Sequence, residues 1–229
     1  MAKTYRIGTR RSPLALRQVE EILEGLREFY PDFKARIIGI DTYGDKDRVT
    51  PISQVEGTDF FTKEIEEALL RNEIDLAVHS AKDLPDKIPD GLIIVAITKS
   101  IDPYDALVVK EGCTYKSLSE LPNGAKIGTS SQRRKEQLRK YRNDFVIVDI
   151  RGNIEERIYK LDTSVDLDAI VIAAAGLLRL GLEHRITERI PFDILKPHPL
   201  QGSLAIETRR DNYKIIELFS NLEHFKSKI

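Results

Sequence analysis

The 229-residue chain has a single cysteine, Cys113, so it can form no internal disulfide and no cysteine-cluster metal site. No metal-ligand spacing is visible, and no metal is expected. No apolar run approaches the length of a membrane span, and the N-terminus MAKTYRIGTRRS lacks the apolar core of a secretory signal. Neither charge sign is in excess: 36 Lys and Arg against 37 Asp and Glu leave a formal net charge of −1. That balance argues against a protein built to coat nucleic acid. The phosphate-cradling patterns G-x-x-x-x-G-K-[ST] and G-x-G-x-x-G are both absent. What is left is a globular protein of a reducing compartment, read as cytoplasmic, with no nucleic-acid or membrane partner. Its 32% charged and 41% hydrophobic residues suit that class.

The informative stretch is Ile74–Pro89, IDLAVHSAKDLPDKIP. Ile74–Val78 has the length and β-branched content of a buried strand, with Asp75 inside it. The run then gives way to His79, Ser80, Lys82 and Asp83, and Pro85 and Pro89 bar a long helix. Polar side chains at the end of a buried strand stand where an open α/β sheet places its ligand. Lys82 and Asp83 are the pair to which chemistry is assigned. A turn carrying a surface ion pair is the plainer reading of the same residues.

The N-terminal segment reads as a βαβ unit. Thr4–Gly8 is a strand, Ser12 an N-cap, Pro13 the first helical residue, and Lys34–Asp41 a second strand. Leu16, Val19, Ile22, Leu23, Leu26 and Phe29 recur at helical spacing between them. Arg10, Arg11 and Ser12 thus fall at a helix N-terminus, where an anion is favoured. Thr42–Phe61 is a long polar loop, Thr62–Asn72 a helix, and Leu92–Thr98 a strand.

The second half repeats strand, loop and helix. Lys126–Gly128 ends in Thr129-Ser130-Ser131-Gln132-Arg133-Arg134, and Phe145–Ile150 ends in Arg151-Gly152-Asn153. Asn153 with Glu156 resembles a capping box that opens a helix through Leu161. Asp168–Ala173 leads into Ala174 and on to Arg179. In a parallel sheet Arg133, Arg134, Arg151, Arg157 and Arg179 come to one edge. Guanidinium forks mixed with hydroxyl donors suit a ligand bearing several carboxylates or phosphates. The proline-rich Ile194–Ser203 reads as a return hinge, Leu204–Glu207 as a strand, and Tyr213–Phe225 as a terminal helix packing through Ile216, Leu218, Phe219 and Leu222. The expectation is two α/β lobes, 1–99 with 199–229 and 100–198, joined by two hinge crossovers around a cleft.

Seven segments carry a family resemblance: RIGTRRSPLALRQ, TKEIEEALL, DLAVHSAKDLP, GTSSQRR, RGNIEER, DAIVIAAAGLLRLGL and QGSLAIETR. In order and over nearly the whole chain, they resemble porphobilinogen deaminase, also called hydroxymethylbilane synthase. That family joins porphobilinogen units head to tail with release of ammonia, building on a dipyrromethane cofactor attached to a cysteine. The resemblance implies two lobes of the periplasmic-binding-protein type, with mixed, mostly parallel sheets flanked by helices. It implies Asp83 as the catalytic carboxylate. It implies substrate and cofactor contacts from Arg10, Ser12, Gln18, Lys63, Ser80, Lys82, Thr129, Ser130, Ser131, Arg133, Arg134, Arg151, Gly152, Asn153, Arg157, Ala174, Arg179 and Gln201.

The sequence departs from the family pattern twice. Thr58 stands where the family has a lysine, with Glu56 and Asp59 beside it. The family's third domain, which carries the cofactor cysteine, has no counterpart before Ile229, and Cys113 is not at the family position. The expectation is therefore a third domain that is removed, encoded as a separate polypeptide, or dispensable, with dipyrromethane bound non-covalently or not at all. The competing reading is a non-catalytic two-lobe binding protein for a polycarboxylate or linear tetrapyrrole.

Overall fold

The computed structural model describes residues 3–47, 58–220 and 222. The first stretch of chain forms β1 (Thr4–Arg10), α1 (Pro13–Phe29), β2 (Lys34–Ile40), α2 (Tyr43–Lys46), α3 (Lys63–Leu70), β3 (Leu76–Ser80) and β4 (Leu92–Ile97). The middle forms β5 (Asp105–Val109), β6 (Lys126–Gly128), α4 (Gln132–Tyr141), β7 (Val146–Val148), α5 (Ile154–Thr163), β8 (Ala169–Ala173), α6 (Ala174–Arg179) and β9 (Glu188–Ile190). The chain ends with β10 (Leu204–Arg209) and α7 (Tyr213–Ser220). Among the described residues two compact units result: 3–47, 58–101, 203–220 and 222 form the first, and Asp102–Gly202 the second.

The first unit holds a sheet ordered β2-β1-β3-β10-β4. β1 runs parallel to β2 and β3, while β10 is antiparallel to β3 and β4, so four of the five strands share a direction. α1 begins as its sequence dictates: the Ser12 side chain accepts a hydrogen bond from the Ala15 N–H at 3.2 Å, and Pro13 occupies the first turn, where no N–H is needed. Its inward row of Ala15, Val19, Ile22, Leu23 and Leu26 packs on the sheet. Each large member stabilises the fold by about 1.5–3 kcal/mol.

Asp75, the charge within the apolar run, is also explained. It accepts from the Arg6 backbone N–H at 2.8 Å and from Arg6 Nε at 3.1 Å, so a buried carboxylate is satisfied. Burial alone would push this carboxyl up, but Arg6 and Lys3 hold it below its ordinary value.

The second unit repeats the plan as β7-β6-β8-β5-β9. β6 is parallel to β7 and β8, and β5 is antiparallel to β8 and β9, so again four strands share a direction. α5 carries the full capping box: the Asn153 side chain accepts from the Glu156 N–H at 2.8 Å, and Glu156 accepts from the Asn153 N–H at 2.9 Å. Gly152 is required just before it. Its φ is +116°, and a Cβ there would strike the Glu156 carboxylate.

Several local expectations shift. β3 runs on through His79 and Ser80, because Ala205 and Leu204 of β10 pair with them and extend the ladder past the apolar run. Only one 3₁₀ turn, Ala81–Asp83, fits between that strand and Pro85. The polar segment after β2 contains α2, capped by Thr42 and Asp45, and residues 48–57 lie outside the described residues. β9 is three residues long at a sheet edge, too short to show alternation. In α7 the buried residues are Ile215 and Phe219, with Ile216 half-buried, and the rest of the expected helix to Phe225 lies outside the described residues except Leu222. Among the described residues no helix is long and apolar enough to cross a membrane.

Candidate functional site

In the first unit, the parallel strands β1 and β3 end side by side next to the N-terminus of α1. Their ends enclose a hollow of about 440 Å³, part of it open solvent, lined by Arg10, Ser12, Gln18, Phe61, Ser80 and Asp83 among others. Each lining side chain is placed by a local cause. Gln18 is buried on α1 and donates to the Ser80 hydroxyl at 2.9 Å. Thr9, also buried, donates to the Val78 carbonyl at 3.2 Å and ties the two strand ends together. The one-turn helix after β3 carries Asp83, half-buried, into the same space.

Arg10 is not an isolated cation. Its guanidinium grips Asp45 with both Nε and Nη2 and lies 4.5 Å over the Phe61 ring. Burial would push the Asp45 carboxyl up, yet Arg10 and Thr42 hold it below the ordinary carboxylate value. Asp83 differs: among the described residues no side-chain hydrogen bond or ion pair to it is seen. Lys82 stands beside Asp83 in the same turn, and Lys63 opens α3 as an exposed residue; neither lines the hollow. Thr58 is exposed, while Glu56 lies outside the described residues.

In the second unit β7, β6 and β8 are parallel neighbours, so the residues that follow them gather at one edge. Thr129 and Ser130 are buried there, Ser131 stands just before α4 at its N-cap position without a side-chain cap bond, and Arg151, Gly152 and Asn153 lead into α5. The Ser130 hydroxyl donates to the Ile150 carbonyl at 2.8 Å and accepts from the Ile150 N–H at 3.0 Å, which locks the β6 and β7 ends together. Arg157 donates to the Gly152 carbonyl at 2.8 Å. Ala174, buried, opens α6, and its N–H donates to the Tyr104 carbonyl at 3.0 Å. Arg179 sits at the far end of that helix and donates to the Gly202 carbonyl at 3.0 Å.

The residue that organises this edge is Asp105, and the sequence reading did not single it out. β5 is antiparallel to β8 and pairs Asp105 with Ala173, so the start of β5 lies at the edge where β8 ends. Fully buried, Asp105 accepts from Arg133 Nη2 at 2.7 Å, from Arg134 Nη2 at 2.6 Å and Nε at 2.9 Å, and from Gln201 Nε2 at 3.0 Å. Burial would push its carboxyl up, but the two guanidinium groups hold it below the ordinary value. Arg134, 6% exposed, has a further contact to the Val171 carbonyl at 3.3 Å. Arg133, Arg134 and Gln201, expected to face a ligand, therefore give donors to an internal acid. Nothing in local sequence reveals this, because the partner arrives through antiparallel pairing. Asp45 did leave a signal, since Thr42 and Asp45 have capping-box spacing.

Cys113 lies beyond the C-terminal end of β5, opposite the Asp105 edge, and packs partly buried against an apolar cluster that includes Leu118 and Ile127. Among the described residues no group of three His, Cys, Asp or Glu side chains is arranged to hold a metal ion.

A family profile described as "Porphobilinogen deaminase, dipyromethane cofactor binding domain" matches residues 5–217. The chain is 48% identical over 223 residues to the porphobilinogen deaminase of Natranaerobius thermophilus, covering 97% of this chain and 71% of that protein. It is 44% identical over 229 residues to the enzyme of the same name from Pelotomaculum thermopropionicum, covering 100% and 72%. The Deinococcus radiodurans counterpart is 48% identical over 218 residues, covering 94% and 70%. Among solved structures, a methionine binding protein aligns with a TM-score of 0.58 at 14% identity, covering 98% of this chain and 91% of that one. A probable amino-acid transporter extracellular-binding protein from Bacillus subtilis aligns at 0.54 and 11% identity, covering 96% and 90%. These last two likenesses show the fold, a two-lobe α/β architecture of the periplasmic-binding-protein type.

Proposed function

The chain belongs to the porphobilinogen deaminase family, and from that premise we propose which of its residues carry the reaction. It is a hydroxymethylbilane synthase-type transferase of tetrapyrrole biosynthesis, acting on the pyrrole porphobilinogen with release of ammonia. In this reading Asp83 is the catalytic carboxylate. Loss of ammonia from the aminomethyl group leaves a cationic, azafulvene-like ring, and attack by a second pyrrole carbon gives another cation until a proton leaves. A carboxylate held in place at the hollow stabilises both cations without reorganising. The observation that carries the assignment is the position of Asp83 in the hollow shared with Arg10, Ser12, Gln18 and Ser80.

Arg10 and Ser12 are assigned to substrate carboxylates in the first unit, and Ser131, Arg151, Asn153 and Arg157 to carboxylates at the edge of the second. Arg133, Arg134 and Gln201 act differently. They hold that edge in shape through Asp105.

The family profile is that of the dipyrromethane cofactor domain. The guanidinium, hydroxyl and backbone N–H donors at the second unit's edge fit such a polycarboxylate group. When bound, dipyrromethane supplies the pyrrole carbon to which new units are added. Cys113 is not assigned as its attachment point, because it packs at the opposite sheet edge. We place the reaction in the cytoplasm, in keeping with a lone thiol and no disulfide.

The test is incubation with porphobilinogen, alone and with a separately made polypeptide carrying a cofactor cysteine, with ammonia and uroporphyrin assayed. Turnover that Asp83→Asn abolishes supports the assignment. Tight pyrrole binding without ammonia release from the wild-type chain in either arm contradicts it.

A further inference from the structure

Behind the Asp83 hollow lies a group of ionisable side chains that the reaction above does not use. Glu66 on α3, His79 on β3 and Glu207 on β10 are 3%, 6% and 0% exposed. His79 Nε2 is 2.9 Å from Glu207 Oε2. The other oxygen of Glu207 is buried without a partner, as is Glu66 Oε1. His79 and Thr62 both line the hollow, and Glu66 stands one helical turn beyond Thr62, its N–H donating to the Thr62 carbonyl at 2.8 Å.

Two buried carboxylates thus lie in the field of one imidazole, which contacts only Glu207. Wherever the proton between Nε2 and Oε2 resides, the His79–Glu207 pair satisfies one of them. The second, Glu66, has no ion-pair partner among the described residues, only the nearby Thr62 hydroxyl and the field of His79, and a buried carboxylate so weakly compensated favours its protonated form. Among the described residues the packed strands add no rescuing cation, and Lys63, three residues before Glu66 on α3, is exposed. β4 brings no charged residue, Arg6 of β1 is engaged by Asp75, and Arg10 of β1 by Asp45. Arg209 of β10 donates to the Leu69 and Ile74 carbonyls. Asp59 and Glu207 are acids and offer no cation. Burial pushes the Glu66 carboxyl above its ordinary value; the Thr62 hydroxyl and His79 pull it down, Glu207 and Asp59 push it up, and the net direction is upward.

We propose that Glu66 is a positioning residue that stores a proton behind the hollow, so that Asp83 remains the one net negative charge an anionic substrate meets there. The consequence is specific. Porphobilinogen carries two carboxylates, and ionising Glu66 places a second buried negative charge behind its binding surface. Binding then weakens as pH rises through the Glu66 titration, while the chemical step at Asp83 is left largely unchanged. The effect appears in KM more than in kcat.

The predicted effect on KM rests on the reading of Asp83 and the hollow given above; the protonation state does not. Two measurements keep them apart. In the folded wild-type chain at neutral pH, infrared spectroscopy with labelled glutamate should show a carboxylic-acid C=O band that Glu66→Gln removes. Absence of that band overturns the proposal whatever the chain's activity, and needs no variant to fold. In the assay with porphobilinogen, wild-type KM should climb by up to about tenfold per pH unit on the alkaline side. Glu66→Gln, a neutral isostere of the acid, should keep wild-type KM at neutral pH and lose the climb. The same alkaline climb in both proteins, or a pH-independent KM in the wild type, overturns the proposal. If the band is present but neither protein turns over porphobilinogen, the proton store stands and the functional reading falls.

Discussion

The two units share one sheet plan and use charge at their strand ends in opposite ways. In the first, a cation is tied down and an acid is left facing the hollow: Arg10 grips Asp45, and Asp83 lines the space. In the second, the acid is what the fold consumes: Asp105 is buried under Arg133 and Arg134, and other donors remain along the same edge. Charge counted along a sequence therefore overstates what a ligand meets. A guanidinium at a strand end can be scaffold or site: Arg134 is buried on its acid, whereas Arg10, though paired with Asp45, still lines the hollow.

That contrast can be broken at several points. The largest effect is expected from Asp105→Asn. It removes the counter-charge from two arginines, one nearly buried, and should cost about 3–5 kcal/mol in denaturant unfolding. A loss below about 1 kcal/mol would show that Asp105 is not the organiser of that edge.

The linkage has a definite sign. The folded-state value of Asp105 is depressed, so its stabilisation is complete above the unfolded carboxylate value near 4 and is lost as pH falls through the lower, folded one. The wild type should lose stability steeply below about pH 4, and Asp105→Asn should lose less over that window. Parallel acid-unfolding curves for the two proteins would contradict this.

A smaller effect separates two arginines of the same edge. Arg151→Ala should weaken pyrrole binding by about 2–4 kcal/mol in calorimetry while changing the melting temperature little. Arg134→Ala should do the reverse, because it uncovers Asp105. If both variants lose binding equally at unchanged stability, the division between scaffold and site is wrong.

The smallest effect is expected from Cys113→Ser. A partly buried thiol at the opposite sheet edge should give up less than about 1 kcal/mol of stability and no activity. Loss of a mass adduct with that change would reverse the placement of the cofactor.

Much of this was legible in the sequence where the cause is local. The Ser12 cap, the Asn153–Glu156 box and the apolar spacing of α1 depend on neighbours within a few residues. The parallel strand ends followed from the alternation of strands and helices. Strand β10 was readable as a strand, but its pairing beside β3, which extends β3 through Ser80, was not. Asp105 and the Glu66–His79–Glu207 group were hidden for the same reason. Each needs an antiparallel neighbour from far along the chain, Asp105 through the pairing of β5 with β8 and Glu207 through its strand β10. Local pattern carries no trace of such meetings.

The account stands or falls on Asp83→Asn, followed in one sample for stability, porphobilinogen binding and ammonia release. Because no internal partner is seen for Asp83 among the described residues, unfolding should be unchanged and binding should stay within a few-fold. Ammonia release should fall by about 10²–10³-fold, the range for losing a preorganised electrostatic contact. Ammonia released at the wild-type rate, or a loss fully explained by unfolding, would contradict it.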